Sequence, residues 1–248
     1  MLRRADDITH LRAVGRDGLI GRVRDVYFDD DRWVVRYLVV GTSGWLGPDV
    51  LLSPVMVSGA DWEHHRLRFA LTRDEVARGP SINLVRPVSR RDETRYYAYF
   101  GFAPYWTDTG IWPQSAAPGI FADEAPASVR ARAAAALAPP PAPAEAETDP
   151  HLHSARAVTG YHIAAADGRI GHFHGFLIDE DTWAIQYLEV TTGHWIGRTA
   201  VAVAREALGH VDWPERVVTV SLTRHEIEAG PRVDRLERDP GRRESPLH

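Results

Sequence analysis

The chain has 248 residues and a net charge of −5, it carries no cysteine, and all 29 of its basic residues are arginine. Without cysteine there are no disulfides, thiolate metal sites or cysteine nucleophiles, and without lysine there is neither a Schiff-base lysine nor a P-loop lysine. The negative balance lacks the basic footprint of a nucleic-acid-binding protein, and no apolar run approaches the ~20 residues that span a bilayer. Arg3 and Arg4 have no apolar stretch behind them, so no secretory signal is expected and a cytoplasmic location is the default.

In chain order, segments 20–28 and 33–40 are rich in β-branched and aromatic residues and flank Asp29-Asp30-Asp31, which predicts a β-hairpin. A third strand is expected over 50–57, with Pro54 pushing it to an edge or a bulge, and a fourth over 65–71. Thr72-Arg73-Asp74-Glu75 matches a capping box, with a hydroxyl at N-cap and a glutamate three residues on, and Gly79-Pro80 supplies the stop. Residues 96–106 then hold seven aromatics in eleven positions. Residues 113–150 are rich in alanine and proline and predict a flexible linker.

The second half repeats the first. Asp17-Gly18-Leu19-Ile20-Gly21 returns as Asp167-Gly168-Arg169-Ile170-Gly171, Tyr37-Leu38 as Tyr187-Leu188, and Trp45-Leu46-Gly47 as Trp195-Ile196-Gly197. After a one-residue shift, Leu71-Thr72-Arg73 meets Leu222-Thr223-Arg224 and Gly79-Pro80 meets Gly230-Pro231. Strands are accordingly expected over 170–178, 183–190, 199–204 and 217–222, and Thr223 to Glu226 repeats the capping box. A duplication of this length is two copies of a domain. The expected organisation is a first barrel over 1–82, an aromatic connector over 83–112, the linker over 113–150, a second barrel over 151–235 and a disordered tail over 236–248.

Each copy serves as a control for the other. The acidic turns Asp29-Asp30-Asp31 and Asp179-Glu180-Asp181 occur in both and read as solvated hairpin turns, lacking the spacing of a calcium loop. His172 and His174 share one face of a strand, but Arg22 and Arg24 stand at the matching places, so these are surface positions and no metal is expected. Gly21 and Gly171 read as backbone positions where a side chain would not fit. Serines are few and the histidines do not pair across copies, so no catalytic residue and no cofactor is assigned. The connector has no counterpart after the second copy. Its rings either cover a core or form an exposed docking surface, and Arg95, Tyr96, Tyr97, Tyr99, Phe100, Phe102, Tyr105 and Trp106 are the partner-binding candidates.

The ordered set Gly-x-x-Ile-Gly, an Asp-bearing turn before Trp, Tyr-Leu, Trp-(Leu/Ile)-Gly and Leu-Thr-Arg-x-Glu, present over residues 18–80 and again over 168–231, resembles the PRC-barrel family. That family is named for the cytoplasmic domain of the photosynthetic reaction centre H subunit and includes the C-terminal domain of a small-ribosomal-subunit maturation factor. The resemblance implies an all-β chain of two small antiparallel barrels, each closed by a short C-terminal helix, that docks on protein partners without catalysis. A photosynthetic electron-transport complex is one setting it suggests, and pairing of the barrels within the chain or in a homodimer is another. The alternative is a ribosome-associated or RNA-binding accessory role, and membrane association would be peripheral at most.

Overall fold

The computed structural model describes residues 1–42, 49–80, 82, 88–107, 109–113, 118, 152–192 and 199–238. The repeated Trp-(Leu/Ile)-Gly corners and nearly all of the linker lie outside the described residues. The first half runs β1 (Leu2–Arg4), α1 (Ala5–Ile8), β2 (Arg12–Gly15), β3 (Gly18–Asp29), β4 (Val34–Gly41), β5 (Val50–Leu52), β6 (Val57–Asp61), β7 (Arg66–Phe69), α2 (Arg73–Ala77) and α3 (Arg90–Phe100). The second runs β8 (Leu152–Ser154), α4 (Ala155–Val158), β9 (His162–Ala165), β10 (Gly168–Asp179), β11 (Ile185–Thr192), β12 (Thr199–Ala204), β13 (Leu208–Asp212), β14 (Val217–Val220), α5 (Arg224–Glu228) and α6 (Val233–Arg238).

The chain is β-rich, as expected, and forms two seven-stranded sheets of the same design. One has the order β5-β4-β3-β2-β7-β6 and the other β12-β11-β10-β9-β14-β13. Two details depart from the expected antiparallel barrels. The pairs β2–β7 and β9–β14 are parallel, and among the described residues no ladder joins the two ends of either sheet. The expected third strand is in fact two. A 3₁₀ turn at Pro54–Met56 ends β5 at one edge of the sheet, and β6 starts afresh at the other. Proline cannot extend a ladder through its missing N–H. The second copy makes the same break at Arg205–Ala207 without a proline, so the corner belongs to the architecture.

The sheets draw on the chain in an order that the sequence did not predict. The seventh strand of each comes from the opposite repeat: β1 pairs with β10, and β8 pairs with β3. Compact unit one is Met1–Ile8 with Ser154–His248, and unit two is Thr9–His153. The expected boundaries at 82 and 151 therefore differ from those of the folded units. Residues 1–8 complete the sheet of the second repeat, and the connector belongs with the first. We call these the second-repeat and first-repeat units.

Both capping boxes form. Thr72 accepts from the Glu75 amide at 3.2 Å while Glu75 accepts from the Thr72 amide at 2.7 Å, and Thr223 and Glu226 repeat this at 3.3 and 2.7 Å. The Asp-Gly repeat is explained at the same place. Asp17 accepts from the Arg73 amide and Asp167 from the Arg224 amide, each at 2.8 Å, while Gly18 and Gly168 take φ of +140° and +136°. Thr72→Ala is expected to destabilise the first-repeat unit by about 1 kcal/mol, read by urea denaturation. The hydrogen bond donated by the Arg224 amide draws the Asp167 carboxyl below its usual range, and that donated by the Thr223 amide does the same for Glu226. A depressed folded pKa stabilises at neutral pH and the contribution is lost as pH falls through it. The protection of the amides at the start of α5, relative to their intrinsic exchange rates, is therefore expected to fall in acid.

The glycine reading also holds. A Cβ on Gly21 would stand 2.2 Å from the Gly41 carbonyl oxygen, and one on Gly171 2.2 Å from that of Thr191. Gly160 has a similar left-handed φ of +88° but open space around it. Gly171→Ala is therefore expected to lose about 1–3 kcal/mol more than Gly160→Ala by thermal denaturation, the difference being overpacking alone.

Candidate functional site

The chemically richest cluster lies in the first-repeat unit, where α3 packs on β4. The run Val34 to Val40 is apolar except for Arg36 and Tyr37, and β4 is buried along its whole length, so both polar groups need internal partners. Arg36 is fully buried. Its Nε donates to Asp29, itself 2% exposed, and its Nη1 to the Ile111 carbonyl. The guanidinium lies 4.0 Å from the Tyr105 ring centroid and 4.6 Å from that of Trp112, where a desolvated cation–π contact is strong.

Ser89 caps α3 by accepting from the Asp92 amide at 3.1 Å, and Gly101 ends it with φ of 75°. The helix sends Glu93, Tyr96, Tyr97 and Phe100 inward, which is the i, i+3, i+4, i+7 stripe of a one-sided helix. Glu93 is completely buried and accepts from the Tyr37 hydroxyl at 2.8 Å and from Arg90 at 3.2 Å. Arg90 also donates to the Tyr105 hydroxyl at 2.6 Å and stacks 4.6 Å over Trp106. The Tyr96 hydroxyl accepts from the Ser53 amide at 2.9 Å and donates to the Leu51 carbonyl at 3.1 Å, pinning the corner after β5. The Tyr99 hydroxyl donates to the Glu75 carbonyl at 3.0 Å, tying α3 to α2. Burial, with Glu93 beside them, pushes the Tyr37, Tyr97 and Tyr105 phenols up, and burial with Tyr97 nearby raises Tyr96.

Of the eight partner-binding candidates, Tyr96, Tyr97, Phe100, Phe102 and Tyr105 are buried. Tyr99 and Trp106 are half-buried and Arg95 is exposed. The five buried rings are core of the first-repeat unit and present no surface to a partner in this fold. Sequence reasoning gave Arg36 and Glu93 no role and read Asp29 only as part of a solvated turn. The one available signal was a charge interrupting the apolar run of β4.

The connector also has a counterpart. In the second-repeat unit, α6 follows Gly230-Pro231 and buries Val233 against Leu177 and Ala202, with Leu2, Tyr187 and Leu236 packed alongside. Residues 236–238, expected in a disordered tail, are the last of α6, and 239–248 lie outside the described residues.

The acidic turns are not simply solvated. Asp29 accepts from the Arg32 amide at 2.7 Å and Asp179 from the Thr182 amide at 2.8 Å, and Trp33 and Trp183 follow with φ of 53° and 59°. Asp30 meets buried His153 at 3.2 Å, and Glu180 meets Arg3 at 2.8 Å. The His172 ring lies tilted against that of His162 on the neighbouring strand, with centroids 4.5 Å apart, and its Nδ1 lies 3.1 Å from the Gly160 carbonyl. Arg22 donates to the matching His10 carbonyl at 2.9 Å. Both residues therefore perform the same backbone tie. Among the described residues no three His, Asp or Glu side chains gather as metal ligands, and no helix is long and apolar enough to cross a membrane.

No family model matches the chain, and no curated protein is significantly similar to it.

Proposed function

We propose that the chain is a non-catalytic protein-binding module of PRC-barrel type that docks through the outer rim of α3. The observation that carries this is how α3 divides its side chains. Glu93, Tyr96, Tyr97 and Phe100 serve the core, while Arg91, Arg95 and Ala98 are exposed at spacings of four and three, one outward stripe. Tyr99 and Trp106 flank that stripe half-buried. Arg95 meets Asp92 only at 3.8 Å, with its side chain 67% exposed, and such a pair holds it weakly. A cationic stripe bordered by rigid aromatics suits an acidic protein surface, with Arg and aromatic groups as anchors.

Two further features support the family reading. The sheet order and the bulges recur in both repeats, at Val23/Asp25 and Tyr27/Phe28 in β3 and at Phe173/Gly175 and Leu177/Ile178 in β10. Bulges bend strands and add twist, which suits the wall of a small barrel. The test is affinity capture with the tagged full chain. Arg91→Glu with Arg95→Glu is expected to abolish recovery of the protein partner while leaving the melting temperature within a few degrees. Undiminished recovery by this variant would refute docking at the rim.

A further inference from the structure

We propose that the two repeats are mutually completing, each carrying an acceptor edge for the N-terminal strand of the other, and that the Arg4–Glu189 pair addresses β1 to the second repeat. The internal repeat reaches back to the first residues of the chain. Leu2-Arg3-Arg4-Ala5 and, through α1, Ile8-Thr9 return 150 positions later as Leu152-His153-Ser154-Ala155 and Val158-Thr159. The two strands are therefore equivalent, and each could in principle lie on the long strand of its own repeat. Neither does so.

One of the two side-chain positions that meet acids is indifferent to this choice. Arg3 pairs with Glu180 and His153 with Asp30, and exchanging the partners would again join a base to an acid. The next position is not indifferent. Arg4 donates to both oxygens of Glu189, at 2.8 and 2.6 Å, and Glu189 is only 3% exposed. At the matching places the other repeat has Ser154 and Val39. With each strand on its own repeat, Glu189 would face a serine and lose its cation inside the fold. A buried carboxylate stripped of its partner is strongly destabilising. On its own repeat Arg4 would face Val39 at the matching place, which offers no carboxylate. The exchanged pairing is the one that satisfies Glu189, so the penalty on the alternative selects it. The tether within one chain favours the same-molecule partner over a second copy.

The composition supplies a direct test. With no lysine in the chain, a chain expressed with Met1 as its free N-terminus has a single amine. That amine lies 3.5 Å from Glu180, 3.8 Å from Asp181 and 3.9 Å from Asp179. On its own repeat it would instead approach the Asp29 to Asp31 turn. A zero-length carbodiimide couples amines to adjacent carboxylates, and peptide mass spectrometry locates the bond. The expected result is linkage of Met1 to residues 179–181 at the mass of one chain. Linkage to residues 29–31, or a covalent dimer, would overturn the exchange within the chain. The variant Arg4→Ser with Glu189→Val installs the residues that the other repeat uses, and is expected to lower the preference for 179–181 over 29–31 by about tenfold or more. An unchanged preference in that variant would remove the address from Arg4 and Glu189. The outcome is independent of partner docking on α3.

Discussion

Arg36→Ala is expected to destabilise the first-repeat unit by about 3–5 kcal/mol, the cost of leaving one member of a buried ion pair without the other. Three losses coincide at this position. Asp29, 2% exposed, would lose the guanidinium that donates to it. The Ile111 carbonyl would lose its donor, and the Tyr105 and Trp112 rings would lose the cation between them. The second repeat provides the control, because Gln186 stands at the matching place and is only partly buried. Gln186→Ala should stay within about 0.5 kcal/mol. Urea denaturation of both variants decides the matter: equal midpoints would mean that the Arg36 cluster contributes nothing beyond an ordinary strand residue.

Alkali should unfold the first-repeat unit through its phenols. Tyr37, Tyr96, Tyr97 and Tyr105 all have pKa values raised, in each case chiefly by burial, with Glu93 adding to three of them. In the unfolded chain these groups ionise near about 10. A folded pKa above that value leaves the stabilisation intact below about pH 10, and it is lost as pH rises towards the folded value because only the unfolded chain releases the protons. Each pKa unit corresponds to about 1.4 kcal/mol, so four such groups make the transition steep. Tyrosinate absorbance should rise in two stages, with these four phenols appearing only together with loss of the near-ultraviolet dichroism of the packed rings. A single reversible titration of all tyrosines with the dichroism intact would contradict the burial of this cluster. Among the described residues the second-repeat unit has no such group of rings, and of its two tyrosines Tyr161 alone is buried.

Much of this scaffold was legible because local chemistry dictates it. The capping boxes at Thr72 and Thr223, the hairpins around the acidic turns and the closed-in glycines at 21 and 171 each follow from a few adjacent residues. What escaped was set by distant partners. A three-residue strand such as β1 carries no usable periodicity, and nothing local says whether Leu2 belongs on β3 or β10. The Leu-x-x-Ala repeat shows that the two strands are equivalent but not where they go, and only the Arg4–Glu189 contact, 185 positions apart, discriminates. The connector posed the complementary problem. Its rings were conspicuous, yet whether they face in or out depends on Arg36, Tyr37 and Ser53, which lie 43 or more positions upstream of their partners in the connector. The break between β5 and β6 was half visible at Pro54, while its twin at Arg205–Ala207 has no proline to mark it.

In this fold α3 is a wall of the first-repeat core, burying Glu93, Tyr96, Tyr97 and Phe100 and leaving its outer stripe to a partner. Hydrogen exchange of the amides from Thr94 to Phe100 tests this most directly. Exchange as slow as that of the amides in β3 and β4 is the expected result, because the helix would open only when the unit unfolds. Exchange within seconds while those strands stay protected would make the connector a detachable surface element, and both the core assignment and the docking rim would fall with it.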